Sequence, residues 1–219
     1  MDFELFCNKS LRQGLILDLG NGLHTSSIHS VTLQPNIIRM NAGFNTKPTL
    51  ETGNIILRPL QENDFEALYA AAADPKIWEQ HPNKDRWQEE VFRSFFKGAL
   101  ESNGAFTITD KSIGKVIGST RFYDYNSVND SIFIGYTFYT TNYWGKGINR
   151  AVKEMMLDYA FKSVSTVYFH IGATNLRSQI AIERVGATKV GEETVAYFGE
   201  APKTNFLYAI SRDHNYRKV

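Results

Sequence analysis

The sequence predicts an α/β (α+β) fold, with a mixed, mostly antiparallel central sheet of about six or seven strands, about four flanking helices and an N-terminal extension. Three observations predict it. Short runs rich in Val, Ile, Phe, Tyr and Thr recur from Ile55 onward, and three of them follow one another with only turn-rich text between, as in an antiparallel meander. The third run, Ile132-Phe133-Ile134-Gly135-Tyr136-Thr137-Phe138-Tyr139, is apolar on both alternating faces, which marks a central strand covered on both sides. The clearest helical period of the chain comes directly after it.

In order, residues 1–52 are poor in charge and broken by Gly14, Gly20, Gly22 and Pro35, and they read as an extension of uncertain structure. A domain over residues 53–212 and a tail over 213–219 follow. The domain opens with the strand Ile55-Ile56-Leu57 and a helix from Phe65 to Ala72, with Glu62 and Asp64 at its start suiting the helix dipole. A second helix is predicted from Asp85 to Leu100, where Val91, Phe92, Phe95, Phe96 and Leu100 recur at helical spacing. The meander strands are Ala105–Thr109, Val116–Tyr125 and Ile132–Thr140. In the next helix Ile148, Ala151, Val152, Met155, Met156 and Tyr159 face the core, while Arg150, Lys153, Glu154 and Asp158 are expected outside. A strand from Val167 to Ile171, a helix from Leu176 to Val185 capped by Asn175 and stopped by Gly186, and two strands between Lys189 and Ile210 complete the order.

Composition excludes several functions. Lys and Arg number 24 against 23 Asp and Glu, so there is no electrostatic case for nucleic acid. Cys7 is the single cysteine, which precludes an internal disulfide, and it forms no zinc-type cluster with the five histidines, so no metal is expected. No apolar run approaches the roughly 20 residues a membrane span needs, and Met1-Asp2-Phe3-Glu4 lacks the basic start of a secretory signal. A cytoplasmic monomer or homodimer is the expectation.

Between the central strand and the strongest helix lies Trp144-Gly145-Lys146-Gly147-Ile148-Asn149. Glycines on a turn that opens a helix let backbone N–H groups face an anion, with Lys146 and Arg150 available to add charge. The same glycines also suit a tight turn that binds nothing. A Walker loop would need Gly-x-x-x-x-Gly-Lys-Ser/Thr, and the dinucleotide fingerprint a third glycine where Arg150 stands, so coenzyme A is the better-fitting anion. His170 on the short strand and Asp124 at the end of a meander strand are the candidate bases; a histidine inside a strand is more often a hydrogen-bonded core residue than a catalyst, and Asp124 reads equally as a turn residue.

Tyr143-Trp144-Gly145-Lys146-Gly147-Ile148-Asn149, then Asn175-Leu176-Arg177-Ser178, then Gly186-Ala187, preceded by Ile56-Leu57-Arg58-Pro59, resemble the GNAT N-acetyltransferase superfamily in its RimJ/RimL-like branch. The resemblance spans about residues 50–211, with Asn149 where the family usually has Gly or Ala. It implies an acetyl-CoA-dependent N-acetyltransferase acting on a protein N-terminal amine or a small-molecule amine. A non-catalytic acyl-CoA-binding sensor and an antibiotic- or amino-acid-acetylating enzyme stay open.

The resemblance further implies that the pantetheine arm runs along Phe138, Tyr139 and Thr140, with an N–H near Phe138 or Tyr139 facing the thioester carbonyl. The coenzyme phosphates would lie at Trp144, Gly145, Lys146, Gly147, Ile148, Asn149 and Arg150. Asn175 and Ser178 would line the coenzyme, with Ser178 positioned to protonate the thiolate because Ile182 stands where relatives place a tyrosine. The acid that many relatives carry on the central strand is missing. Trp78, His81, Trp87, Tyr197 and Phe198, on the loop between the first helices and on the last hairpin, are the expected acceptor contacts.

Overall fold

The computed structural model describes residues 43–196 and 201–213. In chain order the elements are β1 (Leu50–Thr52), β2 (Ile55–Pro59), α1 (Phe65–Ala72), α2 (Glu89–Glu101), β3 (Ala105–Asp110), β4 (Lys115–Asn126), β5 (Ser131–Tyr139), α3 (Ile148–Ala160), β6 (Thr166–Gly172), α4 (Leu176–Glu183), β7 (Thr188–Val195) and β8 (Lys203–Ser211). They form one eight-stranded sheet in the order β1-β2-β3-β4-β5-β6-β8-β7. Every neighbouring pair is antiparallel except β5 and β6.

Two apolar layers clamp the sheet. On one face Leu68 and Ala72 of α1 and Phe92, Phe95 and Phe96 of α2 pack with Trp78 and Phe138. On the other, Val152 and Met156 of α3 and Ile182 of α4 pack against Ile117, Phe122, Ile134 and Phe169. Because β5 contributes to both layers, its two-sided apolar reading holds. Among the described residues no helix is long and apolar enough to cross a membrane.

The sheet has one strand more than the upper expectation. The added strand, β1, lies inside the segment read as extension, where three residues give too short a pattern to register. The hairpin to β2 turns at Gly53, whose φ is +52°, and pairs Leu50 with Leu57. Just upstream, Phe44 is buried against Phe122, Tyr125 and Tyr159, with ring centroids 5.2 to 5.6 Å apart. Tyr159 Oη also donates to the Asn45 carbonyl at 2.9 Å. Residues 1–42 and 214–219, Tyr197 and Phe198 among the expected contacts, and the extension's Gly14, Gly20, Gly22 and Pro35 lie outside the described residues.

Helix α2 starts at Glu89, four residues later than its periodicity suggests. Gln88 stays extended at ψ 133°, and its N–H closes a turn on the Asp85 carbonyl at 2.9 Å. The larger correction concerns Lys153. Expected on the outer face of α3, it is instead buried with 3% of its surface exposed.

The packing of Phe44 makes residues 43–52 part of the domain. Phe44→Ala should lower stability in urea denaturation by about 3 kcal/mol, the usual cost of emptying a buried aromatic site; a change under about 0.5 kcal/mol would mark the segment as a dispensable appendage.

Candidate functional site

Strand β5 pairs with β6 only through Ser131, Ile132 and Phe133, opposite Thr166, Val167 and Tyr168. On its other edge, Ser119 opposes Phe138 while Arg121 opposes Gly135, so two steps along β4 span three along β5. The extra residue is a β-bulge at Tyr136, whose φ of +54° is unusual for an aromatic side chain. The Arg121 guanidinium lies 3.9 Å from the centre of the Tyr136 ring and donates to the Gly98 carbonyl, tying the bulge to α2. Beyond Phe133 the two strands are no longer paired, and a cleft of about 920 Å³ opens between them.

Register decides which backbone group faces this cleft. The Thr140 N–H donates to the Ile117 carbonyl at 2.8 Å, toward β4. Alternation then turns the N–H and carbonyl of Tyr139 the other way, to the open edge. Trp144 Nε1 reaches that carbonyl at 3.1 Å, pinning the next turn to β5. Of the two residues named for that N–H, Tyr139 has its backbone turned to the open edge, while Phe138 lies opposite Ser119 of β4 and places its ring in the α1/α2 layer. The Tyr139 hydroxyl is buried without a partner among the described residues, and burial raises its pKa, keeping the phenol neutral.

The turn that follows is anchored at both ends. Thr141 Oγ1 donates to Asp74 Oδ2 at 3.0 Å and Tyr143 Oη to Asp110 Oδ2 at 2.8 Å. Gly145 and Gly147 have φ of +72° and +75°, and a Cβ on either would meet no protein atom within 4 Å. Backbone conformation therefore demands the glycines, and crowding does not. Gly147 is the N-cap of α3, which has no side-chain cap and no acidic residue in its first turn. The first N–H groups of a 13-residue helix, with its positive dipole end, thus open at the cleft. Gly145, Gly147, Ile148, Asn149 and Arg150 line it, whereas Lys146 lies outside the lining, its amine 5.6 Å from the Tyr143 ring centre. Thr140 also lies outside. Arg150 is paired with Glu154 at 2.8 Å.

Opposite, α4 presents Leu176 and Ile180, both well exposed, beside Asn175, Ser178 and Ile182. Asn175 Oδ1 accepts the Ser178 N–H at 3.1 Å, so the capping reading of this pair is realised, and the Ser178 hydroxyl lines the cleft. Arg177 stacks 4.1 Å from the Trp144 ring centre and donates to the Ile77 carbonyl, joining α4 to the loop after α1.

The far side of the cleft holds a chain of polar groups contributed by three strands, β4, β6 and β7. His170 Nε2 lies 2.9 Å from Glu193 Oε2 of β7, which assigns the ring proton to Nε2, and Tyr123 Oη stands 3.4 Å from Nδ1. Tyr123 belongs to β4 and reaches β6 across Gly135 of β5, where an added Cβ would sit 2.9 Å from its ring. Sequence reading identified His170 but missed Tyr123 and Glu193, because only strand register brings the three together. Asp124 lies on the exposed side of β4, away from the cleft.

Of the expected acceptor contacts, Trp78 and His81 line the cleft and Trp87 does not, being 38% exposed. Trp78 is fixed by its Nε1 bond to the Ala72 carbonyl at 2.8 Å. His81 accepts from Arg86 Nη1 at 3.2 Å, and burial together with the Arg86 charge holds its pKa well below the usual imidazole range. Lys203 donates to the Pro82 carbonyl and to Asn83 Oδ1, fastening this loop to β8.

Lys153 also lines the cleft. Its Nζ is 2.5 Å from Thr137 Oγ1 and 3.4 Å from Thr120 Oγ1. Burial pushes its pKa down to about 7. None of the described lining residues is a carboxylate, and no group of His, Cys, Asp and Glu among the described residues could hold a metal ion.

A mixed sheet parted at its parallel pair, with a glycine-bounded helix start beside the parting, is the architecture of an acyltransferase domain. Residues 54–188 match the family model described as acetyltransferase (GNAT) domain, and the chain belongs to that family. Solved structures share the fold. RimJ from Mycobacterium smegmatis, in complex with CoA-disulfide, is 20% identical over 76% of this chain and 87% of its own, with a TM-score of 0.57. The ribosomal-protein-S5-alanine acetyltransferase of Vibrio fischeri is 18% identical over 78% of this chain and 100% of its own, TM-score 0.57. The spermidine N-acetyltransferase of Vibrio cholerae, in complex with CoA and spermine, is 18% identical over 74% and 98%, TM-score 0.57.

The burial of Lys153 sets a pH dependence. Its folded pKa, about 7, is below the ordinary lysine value of 10.5. Between these values the unfolded chain holds the extra proton, so stability rises with pH; below about 7 the penalty is fully present. Urea midpoints should therefore rise from pH 7 toward pH 9.5, and Lys153→Met should flatten that rise while stabilising the protein at pH 6 by up to roughly 4 kcal/mol. An unchanged slope in the variant would contradict the assignment.

Proposed function

We propose that this domain is an N-acetyltransferase that moves an acetyl group from acetyl-CoA to a primary amine through a tetrahedral intermediate. The carrying observation is the shared opening of the uncapped α3 start and the free β5 edge at Tyr139 into one cleft. The helix start suits a pyrophosphate. The exposed apolar wall of Leu176 and Ile180 suits a pantetheine arm. The Tyr139 N–H is the donor for the carbonyl oxygen as it gains charge, and the Ser178 hydroxyl is the α4 donor for a departing thiolate.

An amine is mostly protonated at neutral pH and must lose a proton to attack. His170 serves as base, with Tyr123 relaying the proton to Nδ1 and Glu193 holding the ring in its tautomer. This supports catalysis over a silent coenzyme-binding module, although β5 carries no acid. A lining without carboxylates among the described residues is the wrong electrostatics for a polyamine, so a protein N-terminal amine is the favoured acceptor class.

At a hundredfold excess over its dissociation constant, acetyl-CoA should stabilise the protein by about 2.7 kcal/mol, and NAD and ATP should not. Gly147→Val, which cannot adopt the required φ, should lose that shift. With a peptide acceptor, His170→Gln should lower kcat roughly a hundredfold or more while leaving the acetyl-CoA shift intact. Gly135→Ala should reproduce part of this loss by displacing the Tyr123 phenol. Full activity in both variants would remove His170 from the mechanism.

A further inference from the structure

Lys153 is the buried lysine among the described residues. Buried lysines are ordinarily paired with a carboxylate or extended until the ammonium meets water. Lys153 does neither: no described carboxylate lies within ion-pair distance, and its Nζ ends on two threonine hydroxyls. These hydroxyls bond to each other at 2.8 Å, and Thr137 also donates to the Gly135 carbonyl at 3.3 Å, so one hydroxyl proton must point away from Nζ and an oxygen lone pair toward it. At neutral pH a large share of this amine is uncharged and nucleophilic, because burial disfavours the ammonium.

Its location gives that nucleophile a target. Thr137 lies two residues from Tyr139 on the same strand, about 7 Å along it, and both line the cleft with Lys153. A thioester carbonyl on the Tyr139 N–H would share the cleft with the amine that Thr137 holds, two residues along the same strand.

We propose that Lys153 is an internal acyl acceptor, becoming acetylated by the domain's own acetyl-CoA when no amine substrate is present. This rests on the reading of the cleft as the acetyl-CoA site. The Nζ lone pair forms the new C–N bond to the acetyl carbon and the C–S bond breaks. The thiolate leaves and takes the proton that the nitrogen sheds, so the products are acetyl-lysine and the free CoA thiol, with no other reactant. The amide keeps one N–H for Thr137 Oγ1 and can no longer carry the charge that burial opposes. It also places an acetyl group in the donor cleft, so the modified domain should bind acetyl-CoA more weakly.

The test incubates the full chain with acetyl-CoA and no acceptor, then reads intact mass, peptide maps and the melting shift caused by acetyl-CoA. One acetyl group is expected on Lys153, at an occupancy about tenfold above the exposed Lys97 and Lys111. Lys153→Met should abolish it, and Lys97→Met should not. If acetyl-CoA raises the melting temperature but Lys153 stays unmodified, or is acetylated no more than the surface lysines, the proposal is overturned while the acetyl-CoA reading stands. If neither the shift nor the modification appears, both fall. Should Lys153→Met fail to fold, the peptide map of the unmutated chain decides alone.

Discussion

The site depends on one extra residue in β5. Without the bulge at Tyr136, β5 would continue alongside β6 beyond Phe133, and the edge of β5 at Tyr139 would be consumed by a regular ladder. Holding a tyrosine at positive φ costs roughly 1–2 kcal/mol. The Arg121 guanidinium over its ring offsets part of this, since a desolvated cation–π pair contributes a comparable amount. Arg121 itself is buried, and burial lowers its pKa to about 10. A strained residue and a desolvated cation thus stabilise each other, and together they keep the sheet parted.

Once parted, the sheet assigns its two faces different tasks. Strand alternation sends Phe138 toward α1 and α2 and Thr137 toward α3, so neighbouring residues of β5 serve opposite layers. The layer of α3 and α4 supplies the helix start, the apolar wall and the buried lysine. The other supplies Trp78, His81 and the loop that Lys203 and Arg177 tie across the mouth. The two layers thereby meet the cleft from opposite faces of a single strand, which suits the direct transfer proposed for it.

Elements whose pattern is local were legible in the sequence. The span of α1 matches its periodicity, α3 follows its apolar stripe, and the glycine turn falls where the text changes from strand to helix. What escaped was what needs a partner far away in the chain. Lysine at position 153 reads as a solvent-facing charge by residue type, although its neighbours Val152 and Met156 already placed it at the border of the apolar stripe. Only the threonine pair on β4 and β5 explains how its amine is accommodated. The choice between Phe138 and Tyr139 was open for the same reason: a strand's sequence gives its alternation, but which edge each N–H faces is fixed by the strand beside it. Tyr123 and Glu193 could not be connected to His170 until β4, β6 and β7 were in register.

That register also explains why β5 can lack an acidic residue. A base on the central strand would compete for space with Gly135, whose missing side chain lets the Tyr123 ring pass over β5 toward His170. The two arrangements exclude each other at that position. With glycine there, the proposed base stands on the opposite wall, on β6, and its carboxylate partner comes from β7 at the sheet's far edge. An acid there would also bear a desolvation cost in a lining that carries no other described carboxylate. Placing the carboxylate behind the imidazole keeps the negative charge partly in water.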